Sequence, residues 1–323
     1  MFDGSIDAAA SVVFQSINKR FKKVGRGRRP FMSIDILVQV LLSGLLLGGI
    51  YALVAFGLSL VYGVANILNI AHGTFLAISG VIASLIYAAT GWNPLLIIPA
   101  LAIPVFAFGY LFHATLLRPL AARSKHDETI GTVLITTGAL IAMSDITGVL
   151  AGTNQRNIPV RSDMLEFGDV IVSTTQVWIL AGIVALTLVL HLYLKHAWFG
   201  RAVRAVTQDP MGATLCGVNA SRARALTFAA GSGLVAVAGV LYALIYPVDP
   251  YMGFSLTVRA FTIIIIGGIG NLVGAMVAGV MLGVAESLTS FYWAPKWAPA
   301  ISVVLLLLIL VVFPRGLGTW RRA

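Results

Sequence analysis

Five long apolar runs, residues 36–62, 95–117, 176–194, 224–247 and 297–313, constrain this chain more than any other feature. Each can cross a hydrocarbon core that needs about 20 residues of helix. Of the 323 residues, 59% are hydrophobic and 11% charged, against about 25% charged in an ordinary soluble domain, so a water-soluble core cannot absorb the excess. A β-barrel is excluded, because its strands would be about ten residues long and would alternate apolar with polar. Of the 33 glycines, several stand inside the apolar runs, such as Gly44, Gly48, Gly49, Gly57, Gly231, Gly233 and Gly239, where in a bilayer they mark close helix contacts or breaks rather than loops. The expected fold class is all-α: a polytopic transmembrane helical bundle of about eight to ten spans, some broken or re-entrant.

The formal net charge is +10, and its placement speaks for a lipid bilayer and against nucleic acid. Lys and Arg cluster between the apolar runs: at 19–29, around Arg118, Arg123 and Lys125, over 195–224, and at Arg315, Arg321 and Arg322. That is the pattern of cytoplasmic loops. If all four clusters are cytoplasmic, an even number of crossings separates each from the next. Residues 129–194 supply two crossings around an external loop, 152–175. The flanking blocks, 35–117 and 225–314, read as three or four spans each, and parity then favours four, for about ten in all. So crowded a first block requires short, tilted or broken helices. The sequence offers breaks at Gly48 and Gly49, at the polar string 66–73 and at the glycine-rich string 267–271.

Residues 1–33 read as a basic cytoplasmic extension and 34–318 as the transmembrane domain. In the extension, Val13, Ile17 and Phe21 stand at helical spacing, which suits a short helix on an anionic leaflet; a disordered basic tail is the alternative. Residues 1–30 lack the apolar core of a cleavable signal peptide. Cys216, the single cysteine, has no partner for an internal disulfide.

Three constellations carry the chemistry. Asn66, Asn69, His72 and Thr74 interrupt apolar sequence. An unwound helix in lipid is tolerated where its backbone groups find protein or water partners, so these residues are candidates for lining a substrate pathway; bonding between neighbouring helices is the competing reading. In GGIGNLVGAMVAG, Gly267, Gly268, Gly270, Gly274 and Gly279 suit helix packing, and Asn271 suits the restart of a helix or contact with a solute. The string lacks the Lys-Ser or Lys-Thr of a nucleotide loop. Asp145 and Glu286 are carboxylates set deep in apolar runs, and Arg259 is expected near an interface. In GRAVRAVTQDPMGATLCGVN, Asp209 is a fitting N-cap, Pro210 a first helical residue and Gly217 a stop, with Ala213, Leu215 and Cys216 between. A short amphipathic helix on a cytoplasmic loop suits a partner's groove or is simply solvated.

AHGTFLAISG (71–80), the 200–219 string, IIIGGIGNLVGAMVAGVMLGVAESL (264–288) and FPRGLG (313–318) occur in this order. Together they resemble the LivH-type permeases of branched-chain amino-acid ABC importers. The resemblance implies a bacterial inner-membrane permease working with a second, LivM-type permease, two cytoplasmic ABC ATPases and a periplasmic substrate-binding protein. It implies that residues 200–218 hold the coupling helix, with Arg201, Arg204, Gln208, Asp209, Pro210, Ala213, Leu215, Cys216 and Gly217 as the residues that meet an ATPase. The expected function is import of branched-chain or related small amino acids, with ATP hydrolysis on other chains. A stand-alone secondary transporter driven by an ion gradient is the alternative. An intramembrane enzyme is not expected. The five histidines do not form ligand spacings and no Ser or Cys has a nearby base, so neither a metal nor a cofactor is anticipated.

Overall fold

The computed structural model describes residues 34–160, 163–167, 170–268 and 270–312. The expected surface helix near 6–21, the basic cluster at 19–29 and the FPRGLG string lie outside them. The chain divides into two compact units, Met1–Val38 and Gln39–Ala323, and the helix packing below concerns the second.

Short connections join most of the helices, the long segment between α4 and α5 excepted: α1 (Ile34–Ala65), α2 (His72–Thr90), α3 (Pro94–Phe112), α4 (Lys125–Ala151), α5 (Thr174–His196), α6 (Trp198–Gln208), α7 (Pro210–Leu215), α8 (Ala220–Ala243), α9 (Gly253–Gly267), α10 (Leu272–Tyr292) and α11 (Ala298–Val312). Polar residues write the starts. The side chains of Asn93, Ser124, Asp209, Asn219 and Asn271 accept hydrogen bonds from the first free amides of α3, α4, α7, α8 and α10, which satisfies donors that lipid cannot. Among the described residues, seven helices are long and apolar enough to cross a membrane and two more are short and apolar. A two-stranded antiparallel hairpin, β1 (Met164–Phe167) with β2 (Val170–Ser173), adds a feature the sequence did not suggest.

The nine apolar helices fall as three, two and four along the chain. The first block therefore holds three where parity asked for four, because Gly48 and Gly49 do not break α1. Instead Gly48 lets α10 touch it: a Cβ there would stand 2.7 Å from the Val280 Cα, and one on Gly283 would overlap the Gly48 backbone. Gly44 meets Val284 and Ser287, Ala52 meets Gly279, and Gly63 faces Gly270, so α1 and α10 run antiparallel along matched small residues four apart. The Ser287 hydroxyl donates to the Val40 carbonyl at 2.8 Å near one end of this seam.

Helix α8 is the centre of the bundle. Its Gly239 lies against the Leu76 carbonyl of α2, and its Ser232 and Ala229 lie against Gly109 of α3. Phe228 stacks on Phe112 with centroids 5.8 Å apart. At one end of α8 the chain pairs with the segment after α4: the Arg156 amide donates to the Val248 carbonyl at 2.9 Å, and the Val248 amide returns a bond at 2.7 Å. The other end of α8 begins after α6 and α7, so the Arg156 segment and the α6–α7 pair occupy opposite ends of the bundle. Val64 of α1 packs with Val203 and Val206 of α6, which places the end of α1 on the α6–α7 side.

Candidate functional site

The polar string between α1 and α2 is a true break in the helix. Asn66 is exposed and adopts φ 52°, a left-handed conformation that Asn tolerates better than most residues, and its amide still reaches the Tyr62 carbonyl at 2.9 Å. The chain then folds back. The His72 Nε2 lies 3.0 Å from the Val54 carbonyl, eleven residues before the end of α1, which is about 16 Å along a helix. Helix α2 therefore starts about halfway along α1.

Helix α9 meets it there. The Thr257 hydroxyl accepts from the Gly73 amide at 2.8 Å and shares its own hydrogen between the Ile70 and Gly253 carbonyls at 2.9 and 3.0 Å. A Cβ on Gly73 would overlap the Gly253 carbonyl oxygen, so the first turns of α2 and α9 are in backbone contact. Thr136 of α4 donates to the Leu68 carbonyl at 3.2 Å. Backbone groups freed by the break thus have partners, as a span in lipid requires.

The side chains do not. Asn69, His72 and Thr74 are fully buried, yet both polar atoms of Asn69, the Nδ1 of His72 and the hydroxyl of Thr74 lack a hydrogen-bond partner, as do the hydroxyls of Ser59 on α1 and Thr262 on α9. Each such group costs about 1–3 kcal/mol when left unmade. Asn271, the other pathway candidate, stands elsewhere: it caps α10 by accepting from the Gly274 amide at 3.0 Å. Around it Gly268 and Gly270 take φ 90° and 76°, while Gly267 and Gly274 touch each other and Gly279 touches Ala52.

One turn of α1 away from Val54 is a buried ion pair. Glu286, 2% exposed, accepts from the Tyr51 hydroxyl at 2.9 Å, from Arg259 Nε at 2.8 Å and from the Ser302 hydroxyl. Arg259 also donates to Ser255 at 2.6 Å, and its guanidinium carbon lies 5.8 Å from the centroid of the Tyr51 ring. The cluster joins α1, α9, α10 and α11. Arg259 is held against Glu286, a pairing not drawn from the sequence; the signal was a lone acid and a lone base 27 residues apart in apolar runs. Asp145 is exposed on α4.

At the α6–α7 end, the residues singled out in the loop face different ways. Ala202, Val203, Val206 and Ala213 are buried against the bundle. Arg204 donates to the Leu194 and Lys195 carbonyls, closing the end of α5, and Arg201 reaches the His196 carbonyl at 3.4 Å. Gln208 and Cys216 are exposed, and Gly217 takes φ 83° where α7 stops. The apolar side that α7 leaves free is Leu215, 83% exposed, with Met211, 72% exposed. Met211 was not singled out from the sequence, although its i, i+4 spacing to Leu215 is the signal that finds it.

Residues 40–313 match the family described as branched-chain amino acid transport system, permease component. The chain is 32% identical over 300 residues to the high-affinity branched-chain amino acid transport system permease protein LivH of Escherichia coli (strain K12), with 87% of this chain and 94% of that one covered. It is 32% identical over 295 residues to BraD of Pseudomonas aeruginosa, covering 87% and 95%. To the probable branched-chain amino acid transport permease protein LivH of Methanocaldococcus jannaschii it is 26% identical over 306 residues, covering 89% and 95%.

Proposed function

The chain belongs to the branched-chain amino acid transport permease family, and from that premise we propose that it forms part of the route by which a branched-chain or related small amino acid crosses a bacterial inner membrane. In this reading a second, LivM-type permease completes the route, a periplasmic binding protein delivers the solute, and two cytoplasmic ABC ATPases supply the energy. The observation that carries it is the mid-depth layer where α2 and α9 begin against each other. A zwitterionic solute needs polar groups where lipid-spanning helices have few, and unpartnered polar atoms of Asn69, His72 and Thr74 are gathered there. Helix starts facing a midplane site are a recurring way to hold charged ends of a solute.

The α7 knob serves the energy supply. Met211 and Leu215 offer about 25 cal/mol per Å² on burial in a groove, and α6 ties α7 to α5 and α8 through Val203, Val206 and Ala223, so a push on α7 is transmitted to the bundle. In this assignment Arg204 and Ala213 hold the docking element in place, while Met211, Leu215 and Cys216 face the ATPase.

The test is uptake of labelled leucine into vesicles carrying the full set of subunits, with ion gradients collapsed by ionophores. Uptake that requires ATP and the ATPases is expected. Uptake that needs an ion gradient and proceeds without ATPases would replace this reading with a stand-alone secondary transporter.

A further inference from the structure

At the α6–α7 end of the bundle there is a cleft of about 240 Å³ whose charged groups the transport reading does not use. Its floor is apolar, built from Ala65, Ile67 and Leu117, and one lip is α7 itself through Pro210, Met211 and Thr214. Its other polar groups come from four further elements. His113 and Arg118 stand on the π turn and 3-10 turn that follow α3, Glu128 on the first turn of α4, and Ser221 and Arg224 on the first turns of α8.

Three features of this cleft favour an anion. His113 is 3% exposed and its Nδ1 has no hydrogen-bond partner, and the Nε of Arg224 is likewise buried and unpartnered. The described residues contain one ion pair, Arg259 with Glu286, so Arg118 and Arg224, which line the cleft together with Glu128, form no salt bridge with it, and two cations against one acid leave the cleft an excess of positive charge. Ala220 and Ser221, which also line it, are the first residues of the 24-residue helix α8; Asn219 already caps the Arg222 amide, and the two amides before it, with the helix dipole, favour negative charge.

We propose that this cleft binds a phosphate group. Two guanidiniums, a hydroxyl, an imidazole nitrogen and a helix start provide more donors than the two oxygens of a carboxylate accept, and they surround the site from several sides, which suits a tetrahedral oxyanion. The position, among basic residues at the ends of lipid-spanning helices, is where phospholipid headgroups lie; free phosphate offers the same chemistry. Because α7 forms one lip, an occupied site fastens the docking element to the α3–α4 corner and to α8, and so modulates coupling without touching the solute.

The test uses the full chain in phosphate-free detergent, labelled at Cys216, the single cysteine, exposed directly after α7. It is titrated with inorganic phosphate and, separately, with short-chain phosphatidylglycerol, against chloride at matched ionic strength. A saturable change in label fluorescence is expected with a phosphate-bearing ligand and not with chloride. Arg118→Gln and Arg224→Met should each weaken it about tenfold or more, with unfolding temperature in the absence of phosphate as the control; Arg118 is exposed, so its variant keeps the test open if Arg224→Met fails to fold. A response to both ligands assigns the site to free phosphate as well as lipid, and a response to phosphatidylglycerol alone assigns it to a headgroup. No saturable response to either, or one that survives Arg118→Gln, overturns the proposal. So does silence toward both ligands with loss of ATPase binding in the two variants, which gives the cleft to a partner's carboxylate.

Discussion

The centre and the flank of this bundle are made from equally apolar helices and do different things. Of the apolar stretch of α8, 78% is buried, and of α2, 56%; for the spans that include α3, α4 and α5 the share is 22% each. Hydropathy does not separate the two groups, since the flank is at least as apolar as the centre. What separates them is small and polar residues. Gly44, Gly48, Gly279 and Gly283 on the α1–α10 seam sit in backbone contact, whereas a methyl group added to Gly138 on α4 or Gly182 on α5 would meet nothing within 4 Å. Most of the unpartnered buried side-chain atoms, among them Ser59 Oγ, Asn69 Oδ1, His72 Nδ1 and Thr262 Oγ1, lie where α1, α2 and α9 meet, while His113 Nδ1 belongs to the span that includes α3. In lipid, apolarity alone gives no reason for one helix to prefer another over the solvent, so close backbone approach and hydrogen bonding decide which helices form the interior.

The largest effect is expected from separating the charges of the central cluster. Glu286→Leu leaves Arg259 buried without its partner and should destabilise the protein by about 3–5 kcal/mol, read as a fall in detergent unfolding temperature. The double variant with Arg259→Met should recover most of it. If Glu286→Leu alone is neutral, the cluster is not a tie between helices. Next is the seam. Gly48→Val places its side chain against Val280 and should cost about 1–3 kcal/mol or more, while Gly182→Val on the flank should stay within about 0.5 kcal/mol. Equal effects of the two would erase the distinction between centre and flank.

Smaller effects are expected where function rather than folding is at stake. Leu215→Asp should weaken ATPase binding by about 1.5–3 kcal/mol, the value of burying one such side chain, without changing membrane insertion; pull-down with the ATPases measures it, and an unaltered pull-down would falsify the assignment of α7. Asn69→Leu removes a polar group from the mid-depth layer and should lower uptake about five- to tenfold, one hydrogen bond's worth, while leaving assembly intact. Collapse of assembly instead would mean that Asn69 serves packing.

That the chain is helical and lies in a membrane follows from the order of its residues alone, as do the points where several helices begin and where two of them break. Those properties are local: run length against bilayer thickness, a capping Asp or Asn ahead of an apolar segment, a polar string that helix cannot continue through. Asp209, Pro210 and Gly217 start and stop α7 as their own chemistry dictates. Only the tertiary structure decided which glycines are breaks and which are contacts, since Gly48 and Gly268 look alike until a second helix is laid against one and a positive φ is needed at the other. It decided that Arg259 and Glu286 are partners, that Arg204 closes α5, and that His113, Arg118 and Arg224 share a cleft. Each of these depends on a neighbour far away in sequence, and in lipid the choice of neighbour is made by shape and by unmet hydrogen bonds, neither of which a linear pattern of apolar residues records.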